Sequence, residues 1–153
     1  MPGAPVEALR GVPLFAELDR HEVEQIARLF KERRFKQGET VIREGSGGAA
    51  FFLIDSGRAK VTLGGKELAR LQEGDYFGEI ALIDGGPRSA TIIAESDLVC
   101  FGLTYWDFGP LVQDNGLIAW KLLQSMAREL RTAQQSLVFM AAPSAAPAEG
   151  TQI

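Results

Sequence analysis

The chain has 153 residues, of which 46% are hydrophobic, 24% are charged and 17 are glycine. That is enough for one well-packed domain, and too little for a sensor joined to a separate output domain of ordinary size. A net charge of −4 and a pI near 5.1 exclude a general binder of nucleic acid or anionic membrane, which needs a basic surface.

In chain order, Met1 to Glu7 lacks the basic and apolar regions of a signal peptide, and no apolar run approaches membrane-spanning length. A soluble, cytoplasmic protein is therefore expected. Leu18-Asp19-Arg20-His21-Glu22 sets an Asp three residues before a Glu, and Val23, Ile26, Ala27 and Phe30 recur at helical spacing. This predicts an amphipathic helix of about three turns with a capping box, His21 on its surface. The basic run Lys31 to Lys36 reads as a solvated helix end and strand edge. Short apolar runs then alternate with glycine turns: Thr40–Arg43, Phe51–Asp55, Ala59–Leu63, Leu68–Leu71, Asp75–Phe77, Thr91–Ala94 and Leu98–Leu103. Many short strands so punctuated predict a small β-barrel or jelly roll.

Cys100, within Leu98-Val99-Cys100-Phe101, is the single cysteine and is expected to be buried. With His21 the single histidine, neither a disulfide nor a soft-metal site can be assembled. Thr104 caps a brief helical segment, and an uninterrupted helix is expected from about Gly116 to Phe139. Ala119, Leu123, Met126, Leu130, Ala133, Leu137 and Met140 follow a 4-3-4-3-4-3 spacing along it, a heptad seam. Residues 141–153 are Ala/Pro/Ser-rich and expected to be disordered.

The segment Phe77-Gly78-Glu79-Ile80-Ala81-Leu82-Ile83-Asp84-Gly85-Gly86-Pro87-Arg88-Ser89-Ala90-Thr91 carries the chemistry. It reads as strand end, glycine, a very short helix bearing a carboxylate, a Gly-Gly-Pro turn, and an arginine entering another strand. Gly78 lets backbone approach a ligand, and unpaired N–H groups at the helix start favour an anion. Arg88 offers a planar fork of donors matched to two phosphate oxygens. Glu79 can accept from a hydroxyl and hold Arg88 in place. One phosphate clamp and one hydroxyl acceptor ask for a nucleotide whose sugar and phosphate lie close together.

This segment resembles the phosphate-binding cassette of the cyclic-nucleotide-binding domain family, close to F-G-E-L-A-L-x-x-x-x-P-R-x-A-T. Glycine turns at Phe35 to Glu39, Ile42 to Gly45, Ile54 to Arg58 and Glu73 to Asp75 extend the resemblance over roughly residues 10 to 140. The resemblance implies a mainly β domain: a jelly-roll β-roll at about 34–103 with a short N-terminal helix, and C-terminal helices at about 104–140 completing a domain of residues 1–140. It implies cAMP or cGMP as regulatory ligand, with Glu79 on the ribose 2′-hydroxyl and Arg88 on the cyclic phosphate. Backbone N–H groups of Gly78, Glu79, Ile80 and Ala81, and of Ala90, would take the remaining phosphate oxygens. Ser89 would set a hydroxyl near the phosphate or base edge, and Val61 and Leu68 match family positions lining the base. The Thr-Ser pair that family regulators bring to the adenine falls here on Ala133 and Gln134.

The expected function is a stand-alone, non-catalytic nucleotide sensor that signals through its C-terminal helix, with cAMP favoured over cGMP. The alternative is the ligand-binding part of a catabolite-activator-type transcriptional regulator, or of another larger regulatory protein, lacking its helix-turn-helix. Such regulators carry a helix-turn-helix of about sixty to seventy residues after the long helix, and a Pro/Ala tail stands there instead, so direct DNA binding is not expected. A cupin-type metalloenzyme is excluded by the lone histidine. The long helix is expected to pair with its copy in a homodimer whose seam is Leu123, Met126, Leu130, Ala133 and Leu137, the first half, through about Met126, packing on the β-roll.

Overall fold

The computed structural model describes residues 3–47 and 50–141, its side chains through Val138. Two four-stranded antiparallel sheets face each other. One has β1 (Lys31–Phe35), β8 (Leu98–Thr104), β3 (Ala50–Ser56) and β6 (Tyr76–Phe77) in that spatial order. The other has β2 (Thr40–Ile42), β7 (Thr91–Ala94), β4 (Ala59–Leu63) and β5 (Lys66–Leu71). Helices α1 (Val6–Arg10), α2 (Arg20–Ala27), α3 (Glu79–Asp84), α4 (Tyr105–Gln113) and α5 (Gly116–Ala141) surround them, with a 3-10 turn at Pro13–Phe15. This is the expected β-roll with flanking helices.

The apolar run Phe51 to Ile54 is continuous because its sheet is buried on both faces. Phe51 and Leu53 point into a cluster with Phe15, Phe30, Leu103, Phe108 and Ile118 beneath the helices. Phe52 and Ile54 point the other way, into the roll with Ile42, Val61, Phe77, Ile92 and Cys100. One alternating strand thus divides two cores. Burial pushes the Cys100 thiol up to about 12, which leaves it a packing residue.

The capping box forms as read: Asp19 accepts from the Glu22 N–H and Glu22 from the Asp19 N–H, both at 2.9 Å. The helix is shorter than expected, ending at Ala27, because the next residues turn toward the strand at Lys31. The basic run contains no helix end: Lys31 to Phe35 is strand, pairing antiparallel with Leu98 to Gly102, and Lys36 follows it. Its exposed charges suit an edge strand, where they discourage pairing with another chain. Helix α1 was not anticipated; Ala4 N–H on the Ala27 carbonyl, at 3.0 Å, holds the chain just before it against the end of α2.

Thr104 caps α4 by accepting from the Asp107 N–H at 3.1 Å. The long helix α5 buries Ile118, Leu122 and Ser125 against the helical core, with Met126 packed at its edge. Lys121 donates to Glu22 at 2.6 Å, and Arg128 pairs with Glu17. From Ala127 to Val138 no side chain of α5 is buried. Of the expected tail, Ala141 ends this helix, and residues 142–153 lie outside the described residues. No described helix is long and apolar enough to cross a membrane.

Candidate functional site

Helix α3 starts abruptly because Gly78 caps it at φ +89° and stops abruptly because Gly85 leaves it at φ +66°, both left-handed. Asp84 accepts from the Gly86 N–H at 2.8 Å, shaping the turn into Pro87. The chain then locks onto the β2–β3 connection: the Gly45 N–H reaches the Arg88 carbonyl at 2.9 Å, and the Arg88 N–H reaches Ser46 O at 3.2 Å. Beyond them, Thr91 Oγ1 donates to Glu44 at 2.9 Å and accepts the Glu44 N–H at 3.0 Å, while the Gly64 N–H donates to the same carboxylate. The backbone presenting Arg88 is thus tied at both ends.

A cavity of about 250 Å³ opens against this segment, lined by Phe77, Gly78, Ile80, Ala81, Asp84, Gly86, Pro87, Arg88, Ser89 and Ala90, with Ile42 and Ile92 across from them. Arg88 is 7% exposed, donates to the Ala50 carbonyl oxygen at 2.6 Å, and is pushed to a lower pKa by that burial. Gly78 sits against it, since a Cβ there would lie 2.8 Å from Arg88 Nη1. A desolvated guanidinium, positioned by backbone on a cavity wall, is the arrangement that recognises a phosphate oxygen pair.

Six of the nine expected residues, Gly78, Ile80, Ala81, Arg88, Ser89 and Ala90, meet on this cavity. Glu79 opens α3 as its first residue and is not part of the cavity lining. Burial, opposed by its own backbone N–H, and then the nearby Glu129 carboxylate push its pKa up. Val61 is fully buried one strand behind, opposite Ile92. Leu68 is 41% exposed at the register shift between Val61–Ala69 and Thr62–Glu67, where the bulge leaves it without a cross-strand partner. Neither lines the cavity. Ile42 and Ile92 were not singled out, although period-two alternation in Thr40-Val41-Ile42 and Thr91-Ile92-Ile93 would have turned one face of each strand inward. No α5 residue, Ala133 and Gln134 included, is in the lining. Among the described α5 residues, Glu129 acts through its charge on Glu79 and also on Tyr76.

Residues 32–115 match the model of the cyclic nucleotide-binding domain, more than half the chain, and the chain belongs to that family. Over 134 residues it is 36% identical to a cyclic AMP receptor protein of Thermus thermophilus, covering 84% of this chain and 62% of that one. Over 95 residues it is 40% identical to a cGMP-dependent protein kinase of Toxoplasma gondii, covering 62% of this chain and 10% of the kinase. The chain therefore spans less than two thirds of these relatives. Among solved structures, the N-terminal domain of a transcriptional regulator from Streptomyces coelicolor superposes with a TM-score of 0.77 at 29% identity, over 90% of this chain and 97% of that one.

Proposed function

We propose that the chain is a regulatory sensor that binds a cyclic nucleotide, with cAMP preferred, in the cavity beside α3, and that it performs no catalysis. The observation that carries this reading is the buried, backbone-tied Arg88 meeting Gly78 on one cavity wall. Arg88 takes the cyclic phosphate, the N–H groups of Gly78 to Ala81 and of Ala90 its remaining oxygens, and Glu79 the ribose 2′-hydroxyl. Ser89 lies at the phosphate or base edge, and the apolar roll around Val61, with Leu68 at its border, takes the base. The raised pKa of Glu79 fits a carboxylate that gains from accepting a hydroxyl proton. The ligand-binding unit is residues 1–140, working in the cytoplasm without a metal, without contact with DNA or membrane, and through a downstream protein partner.

Side-by-side calorimetric titrations with cAMP and cGMP test the reading: saturable micromolar or tighter binding of cAMP is expected, and no heat with either nucleotide overturns it. Tighter cGMP binding that Ser89→Ala abolishes would reverse the preference. Glu79→Ala is expected to weaken cAMP by roughly tenfold, one lost hydrogen bond to a charged group, while leaving 2′-deoxy-cAMP nearly unchanged. Equal losses would remove Glu79 from the ribose.

The sensor acts as a homodimer through α5. Leu123, Leu130 and Leu137 are 61%, 61% and 66% exposed at heptad intervals, and Trp120, 59% exposed, extends the row. Met126 leaves the expected seam for the core, and Ala133 is half-buried at its margin. Leu130→Asp is expected to halve the mass in analytical ultracentrifugation and weaken cAMP binding severalfold; a parent that is monomeric at high micromolar concentration with and without cAMP defeats the dimer.

A second reading, the ligand-sensing part of a larger transcriptional regulator, is favoured by the near-complete coverage of the Streptomyces domain. The intact mass of the native gene product separates it from a stand-alone sensor.

A further inference from the structure

A second cavity, of about 280 Å³, adjoins the first, sharing Ile42 and Arg88 with it, and is bordered by residues of the edge strands β1 and β2 of the two sheets. Arg33, Arg43 and Arg88 line it together with Ser46, Thr104 and Trp106, and its lining contains no Asp or Glu. In a chain of net charge −4 this is a concentrated positive site. Whereas Arg20, Arg34, Arg70 and Arg128 each sit on a carboxylate, Arg33 and Arg43 make no ion pair among the described residues. The stem of Arg33 passes along β8 at Gly102, and its guanidinium lies 5.9 Å from the Phe35 ring centroid, which fixes its direction. Ser46 Oγ donates to the Arg43 carbonyl oxygen at 2.6 Å, holding the turn that carries Arg43. Thr104 Oγ1 accepts the Asp107 N–H, which leaves its proton for an incoming oxygen.

The geometry points to a second binding site here, for a small free oxyanion with two or more negative charges, of the phosphate-monoester or pyrophosphate kind. Charge distinguishes it from the cassette cavity. That lining carries one arginine and one aspartate, suited to the single charge of a cyclic phosphodiester. This one adds Arg33 and Arg43 to Arg88 and fits a more highly charged group. Arg88 borders both cavities, so the residues particular to this site are Arg33 and Arg43, and the proposal does not rest on a nucleotide in the cassette.

Trp106 lines the cavity and Trp120, on α5, does not, so fluorescence of Trp120→Phe protein reports on this site. Pyrophosphate, with glycerol 3-phosphate as the monoester arm, is expected to change that emission saturably in the micromolar to low millimolar range. Arg33 and Arg43 are exposed, so the double variant R33A/R43A should fold. It is expected to weaken pyrophosphate at least tenfold while cAMP titrates as in the parent. No saturable change with either anion overturns the proposal. So does pyrophosphate binding that survives R33A/R43A and is displaced by cAMP, since the anion would then occupy only the cassette.

Discussion

Arg88→Leu is expected to bind cAMP more weakly by about 2–5 kcal/mol, the usual loss when one partner of a desolvated charged contact is removed. That corresponds to roughly thirtyfold to several thousandfold in Kd. The effect should be large because the backbone around Arg88 is already immobilised by Gly45 and Ser46, so little of the contact is spent on ordering it. The guanidinium also donates to the Ala50 carbonyl oxygen, so some loss of stability accompanies the loss of affinity. Arg88→Lys separates the two effects: it keeps the charge but not the fork and should fall between parent and leucine variant. Titration of Arg88→Leu with the parent's Kd removes the phosphate from this residue.

Gly78→Ala should damage folding and binding together. The position has φ +89°, where a side chain costs roughly 1–2 kcal/mol. The added methyl would also overlap the Ala50 carbonyl oxygen and lie 2.8 Å from Arg88 Nη1. Backbone cannot give way as a flexible side chain can, so the α3 start and the Arg88 fork must move apart. At about 2–4 °C per kcal/mol for a chain of this size, a fall in Tm of at least several degrees is expected by calorimetry, with cAMP affinity reduced more than tenfold in the folded fraction. Gly38, also at positive φ but with nothing near its would-be Cβ, supplies the control: Gly38→Ala should lower Tm by the backbone cost alone and leave affinity intact. A Gly78→Ala protein with parental Tm and affinity would show that the close approach has no consequence.

The strands Ala59–Leu63 and Thr91–Ala94, the capping box at Asp19, the Thr104 cap and the uninterrupted α5 were legible because each follows from local chemistry: alternation, a carboxylate at the right offset, heptad spacing. The basic run at Lys31 was less legible, because an exposed edge strand carries no apolar period; only its pairing with β8 defines it. At the site, the cassette was readable as one contiguous segment, while Ile42 and Ile92 came from strands that approach only through the roll. Leu68 matches its family position by spacing, and in β5 it stands at the bulge between the Val61–Ala69 and Thr62–Glu67 pairs, which spacing does not reveal. The second arginine cavity was not visible at all, since Arg33, Arg43 and Arg88 meet only when the edges of two sheets come together.

Helix α5 is anchored along its first half, and from Ala127 to Val138 none of its side chains is buried, a division that gives it mechanical advantage. Its 26 residues extend about 39 Å at 1.5 Å per residue, with roughly 22 Å beyond Met126. Lys121 on Glu22 and Arg128 on Glu17 lie on either side of the boundary, so they mark the fulcrum. The cassette reaches the short arm by contact, α3 touching α4 and α4 touching α5, with the Tyr105 ring lying over Gly85. A tilt of only 10° at the fulcrum would sweep the far end through roughly 4 Å over that length. In the sensor proposed above, helix length would set the gain of the signal, independently of how tightly the cavity held its ligand.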